Sequence, residues 1–397
     1  MTGQLSLKRV SQYIIAAMIA LSSSGISAVE KSNVTEAMLD NGMKILVKPD
    51  NRAPVVVAQV WYRIGSSYEP DGITGVSHVL EHMMFKGTKK YPNGEFNRII
   101  AENGGKDNAF TGRDYTAYFQ TLEKSRLAVS MELESDRMRG LLLDKDEFNK
   151  ELQVVIEERR MRTEDKPENK VYEKFNEVAF PGHPYGRPVI GWMRDLKELE
   201  VNDLHKWYQR YYSPSNAILV VVGDVEPSEV IAMAKKYYGA IKNSEVELPE
   251  QHKVAKQTAT KRISVSAPAN VPYVIIGFHV PAVVDKPEHD WEPYALEVMS
   301  AILDGGNAAR FPDQLIRGQQ VATAVGTSYD PFARLAGYFL IDGNPARDAS
   351  VEQLEKAVLE QLNMLKVTAV SETELQRVKA QVIASKIYER DSVFTRR

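Results

Sequence analysis

Residues 35–49 alternate apolar and polar side chains on either side of Asp40-Asn41-Gly42, which predicts a hairpin, because Asn-Gly tolerates the positive φ angles of a tight turn. Val55 to Ile64 is apolar with few breaks and predicts a strand buried in part on both faces. The period then lengthens. Helices are predicted near 94–103, 124–139, 145–163 and 168–179, with two strands near 107–111 and 114–122 between them. Asn216 to Val222 is a strongly apolar strand stopped by Gly223-Asp224, and 226–240 carries an amphipathic stripe. Helices grouped between hairpins predict α+β layers rather than a doubly wound parallel sheet.

From 241 to 257 the pattern turns polar, loses its period and carries Pro249. The linker is placed at 246–257, between an N-terminal domain of 29–245 and a C-terminal domain of 258–397. Beyond it the order recurs: a strand over Val271 to Val280, a loop, then a helix over 290–303, so the second domain reads as a duplicate of the first. Residues 372–397 predict a helix with apolar positions at Leu375, Val378, Val382, Ile383 and Ile387, with no stop signal after it.

The first 28 residues read as an export signal. Lys8-Arg9 precede an apolar run from Tyr13 to Leu21, and small residues up to Ala28 offer a cleavage site. The run is short for a membrane span. Cleavage and export follow as the expectation, with the periplasm as destination in a Gram-negative cell and no stable membrane span afterwards. At 397 residues, 43% apolar and 26% charged, the chain has globular composition and too much length for one ordinary core. A net charge of −3 gives no reason to expect nucleic acid or anionic lipid as partner. Zero cysteines exclude disulfides, thiolate ligands and a cysteine nucleophile, and no phosphate-cradling Gly loop or nucleophile elbow occurs.

The chemistry concentrates in His78-Val79-Leu80-Glu81-His82. On a helix, Glu81 lies about −60° and His82 about +40° from His78, so the three share an arc of roughly 100°. Two imidazoles on one face suit a Zn²⁺ ion, and a carboxylate beside them suits a general base. Gly75-Val76-Ser77 supplies a helix start and Gly87-Thr88 a stop.

A catalytic zinc normally takes three protein ligands. Glu158, three and four residues after Val155 and Val154, is the inward-pointing candidate of the 145–163 helix, and Glu157 points aside. Glu151, seven residues before Glu158, falls on nearly the same line and suits a carboxylate that orients a ligating imidazole. A plain solvated acidic face fits Glu-Glu-Arg-Arg equally well at this point. Asn108, Ala109 and Phe110 belong to a strand that is either a free edge able to pair with an extended peptide or an ordinary core strand. Phe85 and Phe110 read either as pocket walls or as core.

Taken together, these residues resemble the pitrilysin/insulinase family of zinc peptidases, the inverzincins, and in particular its short bacterial members and the mitochondrial processing peptidase. That family pairs H-x-x-E-H with a Glu about 76 residues beyond the second His, and Glu158 lies 76 residues after His82. Its additional acid seven residues earlier matches Glu151. Gly104-Gly105, Asn108-Ala109-Phe110-Thr111 and Asp114-Tyr115-Thr116 resemble the strand pair lining its substrate cleft, and His183-Pro184-Tyr185-Gly186-Arg187-Pro188 resembles another of its signatures. The resemblance runs from about residue 34 to the end.

It implies two duplicated domains, each an antiparallel-rich sheet packed with helices, and a zinc metalloendopeptidase acting on extended peptides. His78, His82 and Glu158 would hold Zn²⁺, Glu81 would be the base, and Glu151 would support a ligand. The second copy has Leu296-Glu297-Val298-Met299 where the first has its His pair, so no metal is expected there. The resemblance also implies a homo- or heterodimer closing like a clamshell, with an Arg and a Tyr from the opposing half at the transition state; Arg334 and Tyr338 lie in that half without a spacing that assigns them. Because such chains usually continue further, it predicts that the second sheet is cut short. The competing expectation is a non-catalytic structural or assembly subunit, as in respiratory-complex relatives, which tend to lose zinc ligands.

Overall fold

A computed structural model describes residues 33–249, 257–283 and 291–391. The expected signal segment 1–28 lies outside these residues, as do most of the expected linker and the last six residues. The fold is α+β, with two separate sheets.

The first sheet has six strands: β1 (Thr35–Met38), β2 (Lys44–Pro49), β3 (Val55–Tyr62), β4 (Lys106–Thr111), β5 (Thr116–Glu123) and β6 (Ala217–Gly223). Their spatial order is β1-β2-β6-β3-β5-β4. All pairs are antiparallel except β2 with β6, where Lys44 stands opposite Ile218 in a parallel ladder. The β1–β2 hairpin turns at Gly42, whose φ of 83° is the left-handed conformation that the Asn-Gly pair anticipates. β3 is the centre, and alternation along it divides its faces: Val56, Ala58, Val60 and Tyr62 enter the main core, while Val57, Gln59 and Trp61 point to the opposite face. β4 pairs with β5 only, so among the described strands it is an open edge.

Seven of the longer helices cover the core face: α1 (Val76–Met83), α2 (Glu95–Glu102), α3 (Leu127–Gly140), α4 (Lys145–Arg159), α5 (Pro167–Ala179), α6 (Met193–Glu198) and α7 (Val201–Tyr211), followed by α8 (Pro227–Tyr238) after β6. Asp144 caps α4 by accepting from the amides of Asp146 and Glu147. The expected helix to residue 163 instead ends at Arg159 and passes into a wider π turn over Arg160–Glu164. Helices α6 and α7 have no counterpart in the sequence pattern read above, because their charged short turns blur the apolar stripe.

The second sheet is three-stranded and antiparallel: β7 (Val274–Val280), β8 (Ala322–Ser328) and β9 (Gly337–Pro345), with β9 central. It packs on α9 (Trp291–Asp304) and α10 (Val351–Val367) around Leu303, Phe311, Leu315, Phe339, Ile341 and Leu354. The last helix, α11 (Glu372–Asp391), follows the predicted position. A small third cluster of Phe180, Tyr185 and Leu335 joins the two halves. Among the described residues no helix is long and apolar enough to cross a membrane.

Candidate metal centre

Helix α1 begins where the chain leaves a sharp turn at Gly75, with φ of 93°. A side chain there would meet the Ile190 carbonyl oxygen at 2.7 Å, so the backbone needs glycine both for its conformation and for its space. The first free amides of α1 are taken by a buried carboxylate: Glu69 accepts from Gly75 N at 2.7 Å and from Ser77 N at 2.8 Å. Burial pushes the Glu69 carboxyl up to about 7, against the downward pull of those two amides. Val76, Val79, Leu80 and Met83 fill the core, which turns the other side of the helix towards α4.

That side carries His78, Glu81 and His82. His82 Nε2 lies 3.5 Å from Glu158 Oε2, and His78 Nε2 lies 3.9 Å from Glu158 Oε1. One donor atom from each of the three falls within 4.8 Å of the other two. Bonds of about 2.0–2.2 Å at a tetrahedral angle put donors roughly 3.4 Å apart, so a small relaxation closes the set on one ion. Two neutral imidazoles and a carboxylate are the borderline donors that Zn²⁺ takes. The residues therefore fit the ion. Glu157 on the same helix is exposed and pairs with Arg160.

Around these donors stand supporting charges. Glu151 Oε2 lies 3.2 Å from His82 Nδ1, and its other oxygen pairs with Lys86. Arg162 Nη1 holds Glu158 Oε1 at 2.7 Å. Burial, aided by the neighbouring His82, lowers the His78 pKa to about 4, so this imidazole is neutral and ready to ligate near pH 7. Burial also acts to lower His82, but its contacts with Glu158 and Glu151 outweigh that and raise it. The bond from His82 lowers Glu158 against the effect of burial.

Glu81 is raised, chiefly by burial, with the Thr111 hydroxyl pulling the other way by donating to Glu81 Oε2. Thr111 ends the open strand β4, so the carboxylate sits beside the sheet edge. On that strand Asn108 is exposed and Ala109 packs towards the core. Phe110 points to the opposite face, with its ring centroid 5.3 Å from that of Trp61 and 6.0 Å from that of Tyr115. Phe85 lies apart from this group. It packs on Phe96 and Tyr118 with the Arg137 guanidinium 4.9 Å from its ring. Arg334 and Tyr338 both dock on the first half: Arg334 on Asp114, and Tyr338 by donating to Asn176 Oδ1 at 2.8 Å.

Sequence reasoning missed Glu69, Lys86 and Arg162. Lys86 follows His82 by four residues and Arg162 follows Glu158 by four, a spacing that was readable. Glu69 had no such signal, because a turn brings it back over residues 70–74.

A two-halved α+β protein with a His-Glu-His helix facing a glutamate helix is the architecture of a zinc peptidase of the inverted-motif type. Residues 44–192 match the family model described as Insulinase (Peptidase family M16), and 198–382 match the one described as Peptidase M16 inactive domain. The chain is 34% identical over 346 residues to the zinc protease PqqE of Helicobacter pylori, covering 86% of this chain and 76% of that protein. It is 28% identical over 340 residues to an uncharacterized zinc protease of Mycobacterium leprae, covering 84% and 74%. The crystal structure of a protease from Helicobacter pylori superposes with a TM-score of 0.85 at 32% identity, covering 91% of this chain and 87% of that one. The chain belongs to peptidase family M16, the pitrilysin/insulinase family.

Proposed function

We propose that this chain is a zinc metalloendopeptidase that hydrolyses extended or unfolded peptide segments. The observation that carries the reading is the meeting of His78, His82 and Glu158 within 4.8 Å of one another, with the Glu81 carboxylate on the same helix face. In this proposal His78, His82 and Glu158 hold the ion. Zinc bound there supplies Lewis-acid polarisation of a peptide carbonyl and eases deprotonation of a water beside it. Glu81 takes the proton from the attacking water on its carboxylate and hands it to the leaving amine. Its raised pKa suits a group that must both accept and return a proton. Thr111 keeps that carboxylate turned towards the sheet edge. Glu151 fixes the His82 ring through Nδ1, which leaves Nε2 for the ion.

Substrate binding is assigned to β4. Its unpaired edge offers backbone donors and acceptors to an extended chain, with Asn108, Ala109 and Phe110 on the pairing strand. Pairing of this kind selects unfolded segments and tolerates many side chains. Phe85, set among Phe96, Tyr118 and Arg137, serves the packing behind α1 in this proposal. Export follows from the apolar segment 13–21 with its preceding basic pair, and a second family chain completes a clamshell.

The test is hydrolysis of a fluorogenic extended peptide by the purified chain, alone and with a homologous partner chain, with and without chelator. Glu81→Gln should keep about one zinc per chain while kcat falls about 10²- to 10⁴-fold. Peptide cleavage by Glu81→Gln at the wild-type rate would remove the assignment, and zinc-loaded protein inert with every partner would favour a structural subunit.

A further inference from the structure

Arg334 stands in the loop between β8 and β9, yet its guanidinium contacts the first half. Nε donates to Asp114 Oδ1 at 2.9 Å, Nη2 donates to Ser67 Oγ at 2.9 Å, and the group lies 4.2 Å from the Tyr68 ring centroid. Ser67 Oγ itself donates to Asp114 Oδ1 at 2.7 Å. Tyr185 Oη donates to Asp114 Oδ2 and accepts from the Leu335 amide at 3.2 Å. Four segments distant in sequence thus meet on one carboxylate, and the Arg334 and Asp114 side chains are only 24% and 17% exposed. A planar guanidinium bridging two acceptors over an aromatic ring sets geometry as well as charge.

Two of these segments lead to the proposed centre. Asp114 is in the turn between β4 and β5, three residues beyond Thr111, whose hydroxyl holds Glu81. Ser67 is two residues before Glu69, which caps α1. The segments are also tied to each other: Ser66 N donates to Gly112 O at 3.2 Å and Ser67 N to Arg113 O at 2.8 Å. A Cβ at Gly65 would lie 2.4 Å from Gly112 O, so they touch without slack.

We infer that Arg334 is a positioning residue for the hydrolysis proposed above: seated on Asp114 and Ser67, it fixes the β4–β5 turn and the 65–69 segment. Through them it fixes the Thr111–Glu81 contact and the start of the metal helix. The inference rests on the peptidase reading. Docking of the second half then completes the catalytic arrangement, which gives that half a task although it lacks the His pair.

The experiment compares full-length wild type, Arg334→Ala, Arg334→Lys, Thr111→Val and the double variant Arg334→Ala/Thr111→Val. Peptide kcat and KM, zinc per chain, and amide hydrogen exchange over residues 65–69 and 108–116 are read for each. A displaced catalytic group costs on the order of 10- to 100-fold, so Arg334→Ala should lose about that in kcat, with KM changed less than about threefold. Zinc per chain should stay at the wild-type value, and exchange should quicken in both segments. The lysine variant keeps the charge without the bridge and should recover part of the loss; it carries the test if the alanine variant does not fold. Thr111→Val should lose a similar factor, and the double variant should be no more than about twofold worse than the poorer single, since both break one chain of contacts. Wild-type kcat in Arg334→Ala, fully multiplying losses, or zinc lost along with activity would overturn the inference. Glu81→Gln separates the two failures: if it cleaves as wild type does, the peptidase reading falls and the positioning role with it. If it is inactive while Arg334→Ala is unimpaired, only the positioning role falls.

Discussion

Strand β3 leads through a loop into α1, and β7 leads through a loop into α9, so the two halves place a helix at the same point of their order. In α1 the side away from the core carries His78, Glu81 and His82, facing the Glu158 of α4. In α9 the corresponding stretch carries Leu296 and Met299, which pack against the second core, and Glu297, which pairs with Lys386 of α11 at 2.7 Å. The backbone order is shared, and a few side chains decide whether the helix gathers donors or closes a core. A lone glutamate on α9 has no imidazole beside it and settles into an ion pair. On α1 the acid is kept among histidines and raised by burial.

The contrast breaks most sharply at the donors. His78→Ala or Glu158→Gln should take zinc, measured by metal analysis of dialysed protein, from about one per chain to near zero, because two protein ligands hold the ion poorly. Glu151→Gln leaves all donors in place and should weaken zinc about 10- to 100-fold in a chelator competition titration. The cap of α1 predicts a pH effect. The folded pKa of Glu69 is raised to about 7 from 4.5, so the stability tied to its proton is full below about pH 4.5 and lost as pH rises through about 7. Denaturant melts across that window should show a fall of up to about 1.4 kcal/mol per pH unit from this group, and Glu69→Gln should flatten it. The smallest effect belongs to the second half: Glu297→Gln should cost about 0–1 kcal/mol and leave zinc content untouched.

Much of this comparison was legible in the chain. The arc of His78, Glu81 and His82 and the inward phase of Glu158 follow from helical period alone, since both helices are long enough to set it. The hairpin at Asn41-Gly42 follows from turn chemistry. The π turn after Arg159 was not legible, because nothing in Arg160–Glu164 breaks a helical pattern. Strands β8 and β9 and helices α6, α7 and α10 also escaped, their short or mixed patterns giving weak periods. The Arg334–Asp114 contact spans 220 residues, and no local spacing encodes a docking between halves. Likewise the edge position of β4 depends on sheet order, which the alternation of one strand does not carry.

The central claim is that three side chains from α1 and α4 hold one zinc ion. Anomalous diffraction at the zinc edge from crystals of the zinc-loaded chain tests it most directly. The account predicts a single strong peak within about 2.0–2.2 Å of one nitrogen from each of His78 and His82 and one oxygen of Glu158. A peak held elsewhere, or one bound to the histidines with the Glu158 carboxylate turned away, would contradict it.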